Sequence, residues 1–93
     1  MSEIKSDSSI RKNENFVETT VDGEVVLMHL DDGRFFSLSD TGKRIWELLD
    51  SHDHFDELVT ATLREYDVSQ EKCRQDLVDL LHNLKERALI TIA

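Results

Sequence analysis

The chain has 93 residues, enough for one domain and too few for a second independent core. Twenty Asp and Glu stand against eleven Lys and Arg, a net charge of −9, which repels nucleic-acid phosphates and favours a basic or apolar partner. A single cysteine, Cys73, excludes an internal disulfide, and no apolar run approaches the roughly 20 residues needed to cross a bilayer.

Residues 1–14 are rich in Ser, Lys, Asp and Asn, and they predict a flexible tail ahead of a domain spanning residues 15–93. No apolar h-region follows Met1, so a cytoplasmic location is expected. Three strands come next. Residues 15–21 contain Phe16, Val17, Thr19, Thr20 and Val21, which suit a strand. Residues 24–30 have apolar side chains on both faces, the pattern of a central or doubly covered strand. The third strand is Arg34, Phe35, Phe36, Ser37 and Leu38. Asp22-Gly23 and Asp32-Gly33 separate these runs. Asp-Gly is a strong hairpin signal because both residues tolerate positive φ. The expected result is an antiparallel meander.

From Ser39 the period becomes helical. Ser39 is a candidate N-cap, with Asp40 facing the helix dipole. Ile45, Trp46, Leu48 and Leu49 form the stripe of a first helix running to about Ser51. A second helix starts at Asp53 or His54 and carries Phe55, Leu58, Val59, Thr62, Leu63 and Tyr66. Ser69 caps a third, with Cys73, Leu77, Leu80, Leu81, Leu84 and Ala88 as its stripe. Residues 89–92 end the chain as a short strand or a packed tail. A three-stranded sheet must be covered by helices to bury a core. The fold class is therefore α+β, winged helix-turn-helix-like: a three-stranded antiparallel β-meander followed by three α-helices.

The chain carries no nucleophile elbow, phosphate loop or zinc-protease motif, and no cofactor is implied. Cys73 lies on a core stripe and reads as packing, with nothing nearby to activate it. His52 and His54 sit among Asp50, Asp53 and Asp56; a solvated loop is favoured over a weak metal site. His29 and His82 read as isolated surface or boundary residues. A helix-turn-helix order suggests DNA reading, but the third helix mixes Lys72, Arg74, Lys85 and Arg87 with Glu71, Asp76, Asp79 and Glu86. The third strand is different. In an unclosed meander it lies at an edge, where free N–H and C=O groups form a template for an added peptide strand. A covering segment or a second copy forming a homodimer through that edge is the competing expectation.

The stretch Asp22-Gly23-Glu24-Val25-Val26-Leu27, then residues 32–39, Thr41-Gly42 and Ile45-Trp46-Glu47-Leu48-Leu49, resembles the PqqD-like family. So do Glu57-Leu58-Val59 and the ending from Asp76 through Leu77, Leu80, Leu81, Leu84 and Ala88 to Ile90. The likeness covers about residues 16–92. It implies a stand-alone, non-catalytic recognition protein of ribosomal peptide natural-product pathways. Such a domain binds the precursor's leader peptide as an added strand, along the third strand and against the third helix. The implied partner is a separate processing enzyme, either the cysteine protease of a lasso-peptide pathway, which is favoured, or a radical S-adenosylmethionine enzyme of the PQQ type. No nucleic acid or membrane is involved.

Mapped onto this chain, the resemblance places the leader along Arg34, Phe35, Phe36, Ser37 and Leu38. A proline at Phe36 is expected to impair pairing if that N–H points to the peptide. Helical spacing groups Asp76, Leu80, Asn83 and Arg87 on one flank of the third helix, and Arg74, Val78, Leu81 and Lys85 on the other. Spacing leaves both flanks open. The family usually keeps an acid at position 76, which favours the first flank and adds Asp76, Leu80 and Asn83 to the site. Two residues depart from the family pattern. Ala88 stands where Gly is common at the helix end, and His54 where Ser or Thr often caps.

Overall fold

The computed structural model describes residues 4–93, so the first three residues of the expected tail lie outside it. The element order is β1 (Ile10–Lys12), β2 (Phe16–Val21), β3 (Glu24–His29), β4 (Phe35–Leu38), α1 (Asp40–Leu48), α2 (Phe55–Glu65), α3 (Gln70–Glu86) and β5 (Ile90–Ile92). β2, β3 and β4 form the antiparallel meander, with β3 in the centre. The three helices follow it, which is the α+β architecture expected from the sequence.

The two Asp-Gly signals build different loops. Asp22 (φ 52°) and Gly23 (φ 81°) both take positive φ, the requirement of a type I′ two-residue hairpin. In the second loop only Gly33 does, at φ 70°. There the chain needs four residues, 30–33. Gly33 N–H donates to His29 O at 2.8 Å and His29 N–H to Arg34 O at 2.9 Å. The dipeptide marks both turns, but the loop length comes from the ladder that closes each one.

β3 sends Val25 and Leu27 into the core, against Trp46 and the stripes of α2 and α3. The Trp46 ring is fully buried, with Phe16 edge-on at 5.5 Å. Its Nε1–H donates to Glu18 Oε1 at 2.9 Å, giving the indole's one donor a partner. Ile45, Leu48, Leu58, Leu77, Leu81 and Leu84 fill the remaining interior, as their spacing requires. Leu80 and Ala88, expected in the α3 stripe, are half-buried and exposed respectively. Leu80 sits at the rim of the stripe, and Ala88 lies beyond the end of the helix.

The expected tail is the largest correction. Residues 10–12 form β1, which pairs antiparallel with β5 in the register Ile10↔Ile92, Arg11↔Thr91, Lys12↔Ile90. Ile10 is 1% exposed and joins the core. The preceding residues cover the start of α2. Phe55 N–H donates to Ser8 O and Asp56 N–H to Ser6 O, both at 2.9 Å. A helix start leaves N–H groups unpaired, and these carbonyls satisfy two of them. His54 occupies the N-cap position without a side-chain cap bond, so the backbone of residues 6–8 replaces the missing Ser or Thr. A lone Ile in a polar run gives no local sign of this pairing.

The other helix ends follow their residues more closely. Ser69 caps α3 by accepting from Lys72 N–H at 3.1 Å. Ser39 stands at the N-cap of α1 but makes no side-chain cap bond, and Asp40 takes φ 51°. α3 ends in a Schellman turn. Ala88 N–H donates to Lys85 O at 2.9 Å and Leu89 N–H to Leu84 O at 3.0 Å. Ala88 holds φ 58° there, the left-handed conformation that Gly takes most easily. Asn13 supports the turn, its Nδ2 donating to Ala88 O at 2.8 Å.

Candidate functional site

The free edge of β4 is defined by register parity. Leu30 N–H bonds Asn15 O, so β3 residues of even number turn their backbone groups toward β2. Those of odd number turn toward β4, as the His29–Arg34 bond shows. Leu27↔Phe36 and Val25↔Leu38 are therefore the hydrogen-bonded pairs of the β3–β4 ladder. Phe35 and Ser37 alternate with them and point their N–H and C=O groups to the open edge. The expected role of the Phe36 N–H is corrected: it belongs to the ladder, and Phe35 and Ser37 carry the free groups.

Side chains alternate as well. Phe36 and Leu38 are half-buried and pack against the core cluster. Ser37 is exposed and donates to Glu24 Oε1 at 3.2 Å. Phe35 is 68% exposed, a large apolar surface left facing water. Beside this edge runs a groove of about 360 Å³, lined by Phe35, Phe36, Ser37 and Leu38 from β4 and by Leu80, Asn83, Leu84 and Arg87 from α3. The first flank of α3 therefore faces β4. The second is engaged elsewhere: Arg74 stacks on Phe55 at 5.1 Å and reaches Ser6 Oγ at 3.3 Å.

The structure thus brings together Phe35, Phe36, Ser37, Leu38, Leu80 and Asn83. Arg34 lies just outside, in an adjoining polar hollow of about 490 Å³ shared with His29, Asp32, Phe36, Asn83, Glu86, Arg87 and Ala88. Asp76 is not part of the groove. It pairs with Lys72 at 3.3 Å and lines a separate depression with Ser69, Glu71 and Gln75. Arg87 and Leu84 are lining residues that the site expected from sequence leaves out. Arg87 follows Asn83 by four positions, so helical spacing pointed to it; Leu84 was hidden by its place in the core stripe.

His29 is a second correction. It is 7% exposed, not a surface residue, and it anchors the β3–β4 loop. Its Nδ1 accepts from Asp31 N–H at 3.3 Å, so the neutral ring carries its proton on Nε2. Nε2 lies 3.2 Å from the Asn15 amide. The amide atom at that contact is Nδ2 and the buried Oδ1 has no partner; exchanging the two lets Nε2–H donate to Oδ1 and pairs both groups.

The remaining candidates lie outside the groove. Cys73 is buried on α3, and desolvation pushes its thiol up and away from the reactive thiolate. Asp53, His54 and Glu57 bring their ligand atoms within 4.8 Å of one another, but all three are exposed. His52 does not join them, since its Nδ1 contacts Ser51 Oγ and Leu48 O. Among the described residues no helix is long and apolar enough to cross a membrane.

The chain is similar to known proteins over most of its length. The family model described as coenzyme PQQ synthesis protein D (PqqD) matches residues 24–90. TbiB1, solved in complex with the TbiA(beta) leader peptide, is 36% identical, with a TM-score of 0.79 over 86% of this chain and 93% of that one. A lasso peptide synthetase B1 complexed with the leader peptide shares the fold, with a TM-score of 0.80 and 22% identity over 89% and 98% of the two chains. No curated protein sequence matches significantly.

Proposed function

The chain belongs to the PqqD family, and from that premise we propose that it is a non-catalytic recognition protein for the leader segment of a ribosomally made precursor peptide. The leader adds a strand to the β4 edge and lays alternate side chains into the groove against α3. Phe35 and Ser37 supply the backbone pairing. Phe36, Leu38, Leu80, Asn83 and Leu84 supply the side-chain wall, and Arg34 stands at its end. The observation that carries this reading is an unpaired strand edge set beside an apolar-floored groove of about 360 Å³. The complex of the 36%-identical relative with a leader peptide supports it.

The protein then presents the bound leader to a separate processing enzyme. Holding the leader raises the effective concentration of the core peptide at that enzyme, with no chemistry of its own. A lasso-pathway leader protease is the favoured enzyme, on the likeness to the two leader complexes. The PQQ-type radical enzyme is the second reading, favoured by the family model itself.

Fluorescence anisotropy tests the proposal. The probe is a labelled leader from the short precursor encoded beside the gene. Saturable binding that is lost when the leader is scrambled is the expected result. No binding up to high micromolar concentration of folded protein overturns it.

A further inference from the structure

Arg87 closes one end of the groove and also lines the adjoining polar hollow. Its guanidinium carbon lies 4.4 Å from the centre of the Phe36 ring. Its Nε donates to Asn83 Oδ1. Arg34, Arg44 and Arg74 each have a carboxylate partner, at 3.6 Å or less. Arg11, Arg64 and Arg87 have none among the described residues, and of these three only Arg87 lines the groove. The backbone beneath it is also fixed, by the Schellman turn and by Asn13.

We propose that Arg87 reads a carboxylate, the side chain of an Asp or Glu in the strand-added peptide, at the Phe35 end of β4. The inference rests on the leader-binding reading above. Stacking on Phe36 and the bond to Asn83 occupy one face and one of the five donors of the guanidinium. The four Nη hydrogens stay uncommitted, and their planar fork matches a carboxylate's two oxygens. The ordering cost is already met within the free protein, since the side chain is held by its own neighbours. Asp32 and Glu86 line the same hollow, and Arg34 lies 3.6 Å from Asp32. The hollow therefore holds two bases against two acids, a neutral island in a chain of net charge −9. Salt screens the distant acids beyond about 8 Å, so the contact is local. The preferred peptide is basic overall, with one acidic side chain at a fixed position.

The test is selection from a library of short randomised peptides with constant flanks, displayed on phage, against the wild type, Arg87→Gln, Arg87→Lys and Arg87→Glu. The flanks remove a free terminal carboxylate as the ligand. The wild type is expected to enrich Asp or Glu at one position of a strand-forming consensus. Arg87→Gln loses that preference, and its affinity for the selected peptide falls by about tenfold or more. Arg87→Lys keeps part of it. Arg87→Glu selects Lys or Arg at the same position, a reversal that a merely structural residue does not produce. Strand-forming peptides with no acidic position on the wild type overturn the assignment to Arg87 and leave the leader-binding reading standing. No enrichment on folded wild type overturns both.

Discussion

β2 and β4 flank the same central strand, yet they make unequal edges. By register, β2 turns the backbone groups of Phe16, Glu18 and Thr20 outward, and β4 turns those of Phe35 and Ser37 outward. As hydrogen-bond templates the two edges are equivalent, and β2 is the longer. They differ in what stands beside them. Val17 and Val21 of β2 are half exposed to water, whereas β4 faces Leu80, Asn83, Leu84 and Arg87 across a groove. A bare edge pairs with any extended chain. An edge with a second wall has pockets for alternate side chains, which is the source of selectivity.

The largest effect comes from removing what both edges share. Trp46 supports Phe16 and Glu18 of β2, and it lies in the core beneath the sheet. Trp46→Ala is expected to cost about 3–5 kcal/mol in urea unfolding and to weaken both edges together. The next test separates them. Ser37→Pro removes one free donor from the β4 edge and is expected to lower leader affinity by about tenfold in the anisotropy titration. Thr20→Pro removes the equivalent donor from β2 and should leave affinity unchanged. Equal losses would break the asymmetry. Phe36→Pro deletes a ladder bond instead, so its loss should appear in the stability of the free protein.

A smaller effect sharpens the account of the second wall. Ala88→Gly relieves the left-handed φ of 58° at the end of α3 and is expected to stabilise the fold by about 1 kcal/mol in thermal melts. Leader affinity should hold or improve slightly. The smallest effect lies away from both edges. Arg44 clasps Glu65 with two bonds, at 2.7 and 2.8 Å, joining α1 to α2. This hydrogen bonding holds the Glu65 carboxyl below the usual carboxylate range. Its stabilisation is therefore full above the ordinary Glu pKa and is lost as pH falls through the lowered folded value. Glu65→Gln should remove that portion of the acid dependence of the melting temperature without changing peptide binding. Both groups are solvated, so the shift should be slight.

The family resemblance located the groove, and the residues alone supplied part of its lining. The run from Arg34 to Leu38 marked an edge strand, and helical spacing grouped Leu80, Asn83 and Arg87 on one flank. Asp76 shares that flank by periodicity, yet it lies a turn beyond the groove because β4 is only four residues long. Spacing alone leaves the flank open, because a period of 3.6 says which residues share a face and not what the face meets; only the resemblance favours the first flank. His29 reads from sequence as a surface or boundary residue yet is buried, because a single polar residue at a strand end carries no local sign of burial.

The sequence by itself determined the central elements but not β1: the buried alternation of Val25 and Leu27, the stripe from Cys73 to Leu84, the Ser69 cap and the two turns. These depend on neighbours within a few positions, and short-range sterics and hydrogen bonding decide them. Only the tertiary structure decided that Ile10 pairs with Ile92, that Ser6 and Ser8 supply the missing cap of α2, and that Phe35 and Ser37 hold the free edge groups. Each of these joins residues far apart in the chain or turns on the parity of a ladder. A shift of one residue in register would exchange the free groups of β4 for the bonded ones, and only the packed core holds that register in place.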